Sequence, residues 1–256
     1  MKNNFINKRK KNFLNINKNL FLLIFIIFIA FIFYINLKHF KNYSVILIQQ
    51  YSDKFEYNLS RIEITNLNYI DEKEILTYFD YFIDKSIFLV PIKETTENIL
   101  AIKWIKNISI QSDYKNTIKI FIEEEVPLGI YYNNNQEILF SNNLKILEII
   151  DTKKKFSGLL KFYGKNSIYN SKSLLLDLGD SFKDSVESAM FIENRRWNLK
   201  LNNQILLKLP QDDIKEAITK YKMIYNNFSD KDLKEIESID LRILNQAIIK
   251  YQKLIK

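Results

Sequence analysis

Leu20–Leu37 reads LFLLIFIIFIAFIFYINL, eighteen residues with no charge, no proline and no glycine, and with Asn36 as the only strongly polar side chain. At ~1.5 Å rise per residue an α-helix of this length is about 27 Å long, close to the ~30 Å hydrocarbon core of a bilayer. A helix buried in a soluble core normally keeps a polar face, and this stretch has none. It is read as a transmembrane helix, and the rest of the chain is placed by it.

Outward toward the N-terminus, residues 1–19 carry Lys2, Lys8, Arg9, Lys10, Lys11 and Lys18 and no acid; on the other side come Lys38, His39 and Lys41. Short basic segments stay in the cytoplasm, so the N-terminal tail is expected inside and the remaining two hundred or so residues outside. A cleaved signal peptide is the competing reading, and the charged start fits it. The apolar run exceeds an ordinary signal core, however, and no small-x-small site follows, Ala30 standing alone among Phe and Ile. An uncleaved anchor is expected.

The same placement disposes of the basic net charge. Eight of the 38 Lys and Arg fall in residues 1–52, which hold no acid, leaving 30 basic against 30 acidic residues beyond. The outer part is formally neutral, so net charge gives no argument for a nucleic-acid partner. Cysteine is absent, which rules out disulfides, thiolate metal sites and a thiol nucleophile, and suits a bacterial envelope protein held by ordinary packing. With four Gly and three Pro in a chain rich in Lys, Asn, Ile and Phe, Asn is expected at turns where glycine is usual.

Residues 38–58 read as a membrane-proximal connector, in which Val45–Ile48 either extends the helix or packs on the first domain. Arg61–Thr65 (RIEIT) then alternates as a half-buried strand. Asp71 with Glu74 opens a helix carrying Ile75, Leu76 and Phe79 on one side, and Pro91 sits near the start of a second helix reaching about Ala101. Ile108 and Ile110 alternate in one strand and Ile118, Ile120 and Ile122 in the next, with Asp113–Asn116 as the turn between. The order is strand, helix, helix, strand, strand, closing at Glu123-Glu124-Glu125-Val126-Pro127, where the proline discourages a central strand.

From about residue 128 short strands are expected at Leu128–Tyr132, Ile138–Ser141 and Lys145–Ile150, with a turn at Asn133–Asn135, then a helix within Ser173–Phe191. Trp197, Leu199 and Leu201 alternate, then Ile205, Leu207 and Leu209, a hairpin across Asn202-Asn203; Trp197, in phase with two leucines, is expected in the core. Pro210 and Asp212 open a helix with Ile214, Ala217, Ile218, Tyr221, Tyr225 and Phe228 at helical spacing. Strands at Ser238–Ile243 and roughly Gln246–Tyr251 end the chain. The fold class is α+β: an anchor, then two small abutting domains.

In this order the chain resembles the FtsQ/DivIB family of single-anchor bacterial cell-division proteins over nearly its whole length. Residues 59–127 look like the family's POTRA domain, with Ile102-Lys103-Trp104-Ile105, the turn Tyr114-Lys115-Asn116-Thr117-Ile118 and the close Glu124-Glu125-Val126-Pro127 as its marks. Residues 128–256 look like its β domain through Arg195-Arg196-Trp197-Asn198-Leu199, Leu207-Lys208-Leu209-Pro210 and Ile239-Asp240-Leu241-Arg242. The chain departs from the family in Lys115, where a proline is common, in Glu125, where a base is common, and in Ile243 and Gln246, where an aromatic and a glycine are usual. Asn66 and Asn203 stand at turns where the family usually has glycine.

The residues mark out no chemistry that competes with this, though composition leaves a Ser/Lys hydrolase open with no particular pair singled out. His39 is the only histidine and lies beside the membrane helix, so a Ser-His-Asp triad in the outer domains is excluded, as are the usual His/Cys zinc sites. Gly129, Gly158, Gly164 and Gly179 form no phosphate loop. In a strand Glu123 and Glu125 share a face and Glu124 points away, so this run reads as a solvated strand end rather than a metal site. No catalytic residue, cofactor site or metal site is expected. An anchored wall enzyme would need a polar catalytic cleft that no motif marks, and a hydrolase assay on residues 58–256 would test for one.

What the resemblance implies is a non-catalytic scaffold of the division machinery in the inner membrane, with its N-terminus cytoplasmic and its domains periplasmic at the septum. The implied partners are the FtsB (or DivIC) and FtsL proteins, small bitopic coiled coils. The terminal strand near Gln246–Tyr251 is expected at a sheet edge that a partner strand extends. Arg195, Arg196, Asp240, Arg242, Ile243, Asn245, Gln246, Ile248 and Lys250 are the expected partner-binding residues, with Lys250 and Lys253 guarding the edge when it is empty. Arg195 and Arg196 also have a plain reading, as cations that solvate the start of a strand. The other functional class, a POTRA-bearing component of secretion or outer-membrane assembly, normally precedes a large membrane β-barrel, whereas the anchor here is helical.

Overall fold

In the computed structural model the described residues are 18–133, 135–150, 156, 158–243 and 246–252. The basic tail before Lys18, Asn134 of the expected turn, Asn245 and Lys253 lie outside them.

Helix α1 (Lys18–Phe55) runs 38 residues, so most of the expected connector is helical. It bends by 61° between Leu20–Asn36 and Phe40–Phe55. Neither arm alone is long and apolar enough to cross a membrane; the bent pair passes that test by length and composition. The apolar arm, Leu20–Asn36, spans about 25 Å at ~1.5 Å per residue, at the lower end of the roughly 17–25 residues that a spanning helix takes.

Then follow β1 (Arg61–Thr65), α2 (Glu72–Leu76), two 3-10 turns (Asp80–Phe82, Ile87–Leu89), α3 (Ile92–Leu100), β2 (Ile105–Ser112) and β3 (Thr117–Glu124). The three strands form one sheet in the order β1-β3-β2. The alternation read from β3 is the alternation seen, with Ile118, Ile120 and Ile122 all buried. Asp71 caps α2 by accepting from the Lys73 N–H at 3.0 Å, and Pro91 directly precedes α3. In the β2–β3 turn, Asp113 Oδ1 accepts from the N–H groups of Lys115, Asn116 and Thr117 at 2.8, 3.0 and 2.9 Å, and these bonds, Thr117 foremost, lower its pKa.

The acidic run does not solvate as a whole. Glu123 is exposed and pairs with Lys106 at 2.6 Å, but Glu124 and Glu125 are 8% and 4% exposed. The Glu124 carboxylate accepts from the N–H groups of Asn68, Tyr69 and Ile70 at 2.8–3.1 Å, while Glu125 Oε2 accepts from Asn143 Nδ2 at 3.0 Å. Backbone donors left over at the ends of neighbouring segments give a buried carboxylate what water would.

The second sheet has nine strands: β4 (Pro127–Asn133), β5 (Gln136–Ser141), β6 (Ile146–Ile150), β7 (Lys161–Tyr163), β8 (Val186–Ile192), β9 (Arg196–Leu201), β10 (Leu206–Lys208), β11 (Ile236–Asp240) and β12 (Ile248–Tyr251). Their order is β12-β11-β10-β9-β8-β7-β4-β5-β6. Helix α4 (Ser167–Lys183) joins the parallel pair β7 and β8; α5 (Ile214–Asn226) and α6 (Asp230–Glu235) join the parallel pair β10 and β11. The helix expected within Ser173–Phe191 starts and ends earlier, and its expected last turns are β8. A register shift between Val186 and Ser188 spaces the buried Val186, Ala189 and Phe191 by three and then two, which hides the strand period. The start of α4 is hidden as well, because Asn166 is left-handed (φ 62°) and makes no side-chain cap.

The core of this part joins Phe140, Phe162, Leu174, Leu178, Phe191, Trp197, Leu199 and Leu207 to Ala217, Ile218 and Tyr221 of α5 and Ile239 of β11. Trp197 is 4% exposed, with its ring centroid 4.7 Å from Phe191 and 6.0 Å from Phe162. Gly129 is demanded by packing: a Cβ there would meet the Phe162 ring at 2.5 Å. A second cluster holds Ile130, Leu139, Leu147 and Phe156, with Trp104 packed against it and stacked at 4.8 Å on Tyr69. Asn66 takes a positive φ of 69°, as an Asn in a glycine's place should, but at the Asn202-Asn203 turn Gln204 does so instead.

By compactness the chain forms two units. Of the described residues, one comprises those through Ile62 with Phe79–Pro91 and Ser112–Ile118; the other comprises Glu63–Tyr78, Ile92–Gln111 and those from Lys119 onward.

Candidate functional site

The strand nearest the C-terminus, β12, stands at one end of the nine-stranded order and has β11 as its only neighbour among the described residues. The two pair antiparallel, with Asp240 opposite Ile248, Ile239 opposite Ile249 and Ser238 opposite Lys250. The expected strand Ser238–Ile243 begins two residues earlier and stops at Asp240, and β12 starts at Ile248 rather than Gln246. Ile249 packs on the core with Ala247, whereas Ile248 is 54% exposed. Alternation fixes this division, because Ile249 shares the inner face with Ile239. Lys220 of α5 donates to the Gln246 carbonyl at 3.1 Å and holds the approach to β12 in place.

The register carries the site inward from the edge. Ile248 lies opposite Asp240, Asp240 beside Lys208 and Lys208 opposite Asn198, so these four form one row across β12, β11, β10 and β9. They face away from the core, since Trp197, Leu199, Leu207 and Ile239 take the alternate positions. Arg196, two residues before Asn198, shares their face. Arg242 grips Asp240 through Nε at 2.8 Å to Oδ1 and Nη2 at 2.5 Å to Oδ2. That fork, with the Arg242 N–H and the nearby Lys208, lowers the Asp240 pKa, and the Asp240 carboxylate in turn raises that of Arg242. Lys250 binds Glu237 Oε1 at 2.6 Å.

Arg196, Asp240, Arg242, Ile248 and Lys250 are therefore brought to one patch beside the edge. Three expected residues are not part of it. Arg195 lies in the turn before β9 and lines a cleft of about 690 Å³ with Asn170, Asp177, Asp212 and Lys215. Ile243 lies past the strand end and borders a recess of about 330 Å³ with Pro210, Met223 and Leu241. Gln246 meets Lys220 through its backbone carbonyl, away from the patch's side chains. Both arginines also meet Glu193 Oε2, Arg195 at 3.5 Å and Arg196 at 3.3 Å.

Two members of the patch escaped the sequence reading. Lys208 was detectable, being out of phase with Leu207 and Leu209 in its strand. Glu237 was not: it sits at a register shift between Ile236 and Ser238, which no pattern announces. Among the described residues no group of three or more His, Asp or Glu is placed to hold a metal.

Comparison with known proteins gives two family matches. The FtsQ-type POTRA domain matches residues 57–125, and the C-terminal domain of the cell division protein FtsQ/DivIB matches residues 130–242. Cell division protein FtsQ of Rickettsia felis is 28% identical over 211 residues, covering 82% of this chain and 78% of that one. FtsQ of Rhizobium meliloti is 21% identical over 166 residues, covering 64% and 53%. The extracytoplasmic domain of the division protein DivIB from Geobacillus stearothermophilus aligns with 42% of this chain at 13% identity and a TM-score of 0.32, a likeness that carries no argument.

Proposed function

As the chain belongs to the FtsQ/DivIB family of membrane-anchored bacterial cell-division proteins, we propose that it is a non-catalytic scaffold that captures other bitopic division proteins by strand addition to β12 and so helps to assemble and regulate septal wall synthesis. Its layout on this reading is a cytoplasmic tail (1–19), an anchor (20–37), a connector (38–58), a POTRA domain (59–127) and a β domain (128–256). The outer domains are periplasmic and gathered at the septum. FtsB- or DivIC-like and FtsL-like proteins are the proposed partners.

The observation that supports the mechanism is that β12 has no neighbour on its outer side among the described residues. An edge strand presents alternate N–H and C=O groups that a second extended chain can satisfy. The row Ile248, Asp240, Lys208 beside it supplies side chains for selection, and Lys250 keeps a charge at the edge until a partner arrives. Main-chain pairing gives affinity without regard to sequence, so selectivity falls to this row.

Ile248→Pro tests it. Proline removes a backbone donor and its ring obstructs a new ladder, so capture of an FtsB-like partner in a pull-down should be lost. The near-ultraviolet circular dichroism of the core aromatics should stay unchanged. Undiminished capture by the proline variant would sink the mechanism.

A further inference from the structure

The second arm of α1, Phe40–Phe55, is apolar beyond anything its own packing uses. It docks along one side, where Ser52 is buried with its hydroxyl 2.6 Å from Ser86 Oγ and Gln49 Oε1 accepts from the Ser86 N–H at 2.9 Å. At ~100° per residue Tyr43, Leu47 and Lys54 point the opposite way. Phe40, Tyr43, Ile46 and Tyr51 are 54–63% exposed. Beside Ile46 opens a recess of about 500 Å³, bordered by Val45, Phe82, Leu89 and the ring of Tyr81, which is itself 72% exposed.

We propose that this outward face and Tyr81 rest in the headgroup layer of the same bilayer that Leu20–Asn36 enters, so that the arm is an interfacial helix. The inference rests on the anchor reading of the first arm and goes beyond it. Three observations select lipid as the occupant. The face continues directly from the apolar arm. With that arm along the membrane normal, the 61° bend leaves the second about 30° from the membrane plane. Its sixteen residues then climb only about 12 Å over ~24 Å of length, and the first half stays within the ~5–10 Å depth where interfacial helices lie.

Charge is ordered the same way. No acid occurs before Asp53, which is already bound by Gln49 at 2.7 Å and Asn58 at 2.8 Å at the end away from the bend. Lys41 falls within the first turn, and Lys85 lies over the Tyr81 ring. Tyrosines with lysines at the edge of an apolar segment match the phosphate-and-ester chemistry of a membrane interface.

The chain has no cysteine, so single ones can be spin-labelled without background. Full-length protein carrying Phe28→Cys, Tyr43→Cys, Leu47→Cys, Tyr81→Cys or Lys231→Cys is labelled in phosphatidylethanolamine–phosphatidylglycerol nanodiscs. Its accessibility to oxygen is then compared with its accessibility to a water-soluble nickel chelate. Positions 43, 47 and 81 should show oxygen-to-nickel ratios several-fold above position 231, approaching position 28. Water-like ratios at 43, 47 and 81 with a lipid-like ratio at 28 would overturn the proposal and leave the anchor standing. That result would include the case where these positions become protected only when a partner protein is added. A water-like ratio at 28 would remove the anchor reading and the proposal with it.

Discussion

At the scale of single residues, Glu124 shows how a carboxylate is made part of a fold. Both its oxygens are committed to backbone N–H groups of residues 68–70, and it is nearly sealed from water. Glu124→Gln replaces one acceptor oxygen with a donor that faces an N–H, stranding at least one buried amide. Denaturant unfolding in detergent should show a loss of about 1–3 kcal/mol, whereas Glu123→Gln at the exposed neighbour should change little. Tyr221 gives a pH test. Burial, with a smaller push from Tyr225, raises its pKa to about 12, against an Asn203 hydrogen bond that lowers it. The unfolded chain releases that proton near ~10. The stability this group contributes is therefore fully present below ~10 and is lost as pH rises through about 12. Tyr221→Phe should flatten that part of the stability–pH curve, and an unchanged slope would show that another group governs it.

At the scale of elements, what was legible follows the regularity of the period. β3 was readable because Ile118, Ile120 and Ile122 alternate without a break, and α5 because its apolar residues return every third or fourth position. β8 was not, since its register shift throws Val186 out of phase with Ala189 and Phe191, and β7 is only three residues long. The candidate site was half legible. The edge strand and the residues Asp240 and Arg242 are named from sequence, but the ion pair between the two is not, and their alignment with Lys208 and Arg196 depends on the parallel pairing of β10 with β11 across α5 and α6. The strand start also divides neighbours that the sequence sets together: Arg195 lies in the turn and borders the cleft with Asp177 and Lys215, while Arg196 opens β9 on the outer face, both within reach of Glu193. The packing of β4 offers its own test. Gly129→Ala drives a methyl into the Phe162 ring, near Phe140 as well, and should cost about 1–3 kcal/mol by thermal or denaturant unfolding. A neutral result would mean that the Phe162 ring can yield.

At the scale of the whole molecule, the charge pattern is the ground for the proposed orientation. Eight cations and no acids lie in residues 1–52, whereas the remainder is balanced. Cysteine placed at Lys231 should react with a membrane-impermeant maleimide in spheroplasts, and cysteine at Lys8 only after permeabilisation. The reverse pattern would refute a cytoplasmic N-terminus. The stitching around Val126 has a practical meaning for anyone making chimaeras of such proteins. Glu125 is tied to Asn143, Lys145 donates to the Ile105 carbonyl at 3.2 Å, and Trp104 is stacked with both Tyr69 and Phe156. A splice at Val126–Pro127 would graft two halves whose matching surfaces come from different parents. An exchange that carries Trp104, Glu125, Asn143 and Phe156 together would keep the joint native, and heritable variation at these four positions would then be selected as a set.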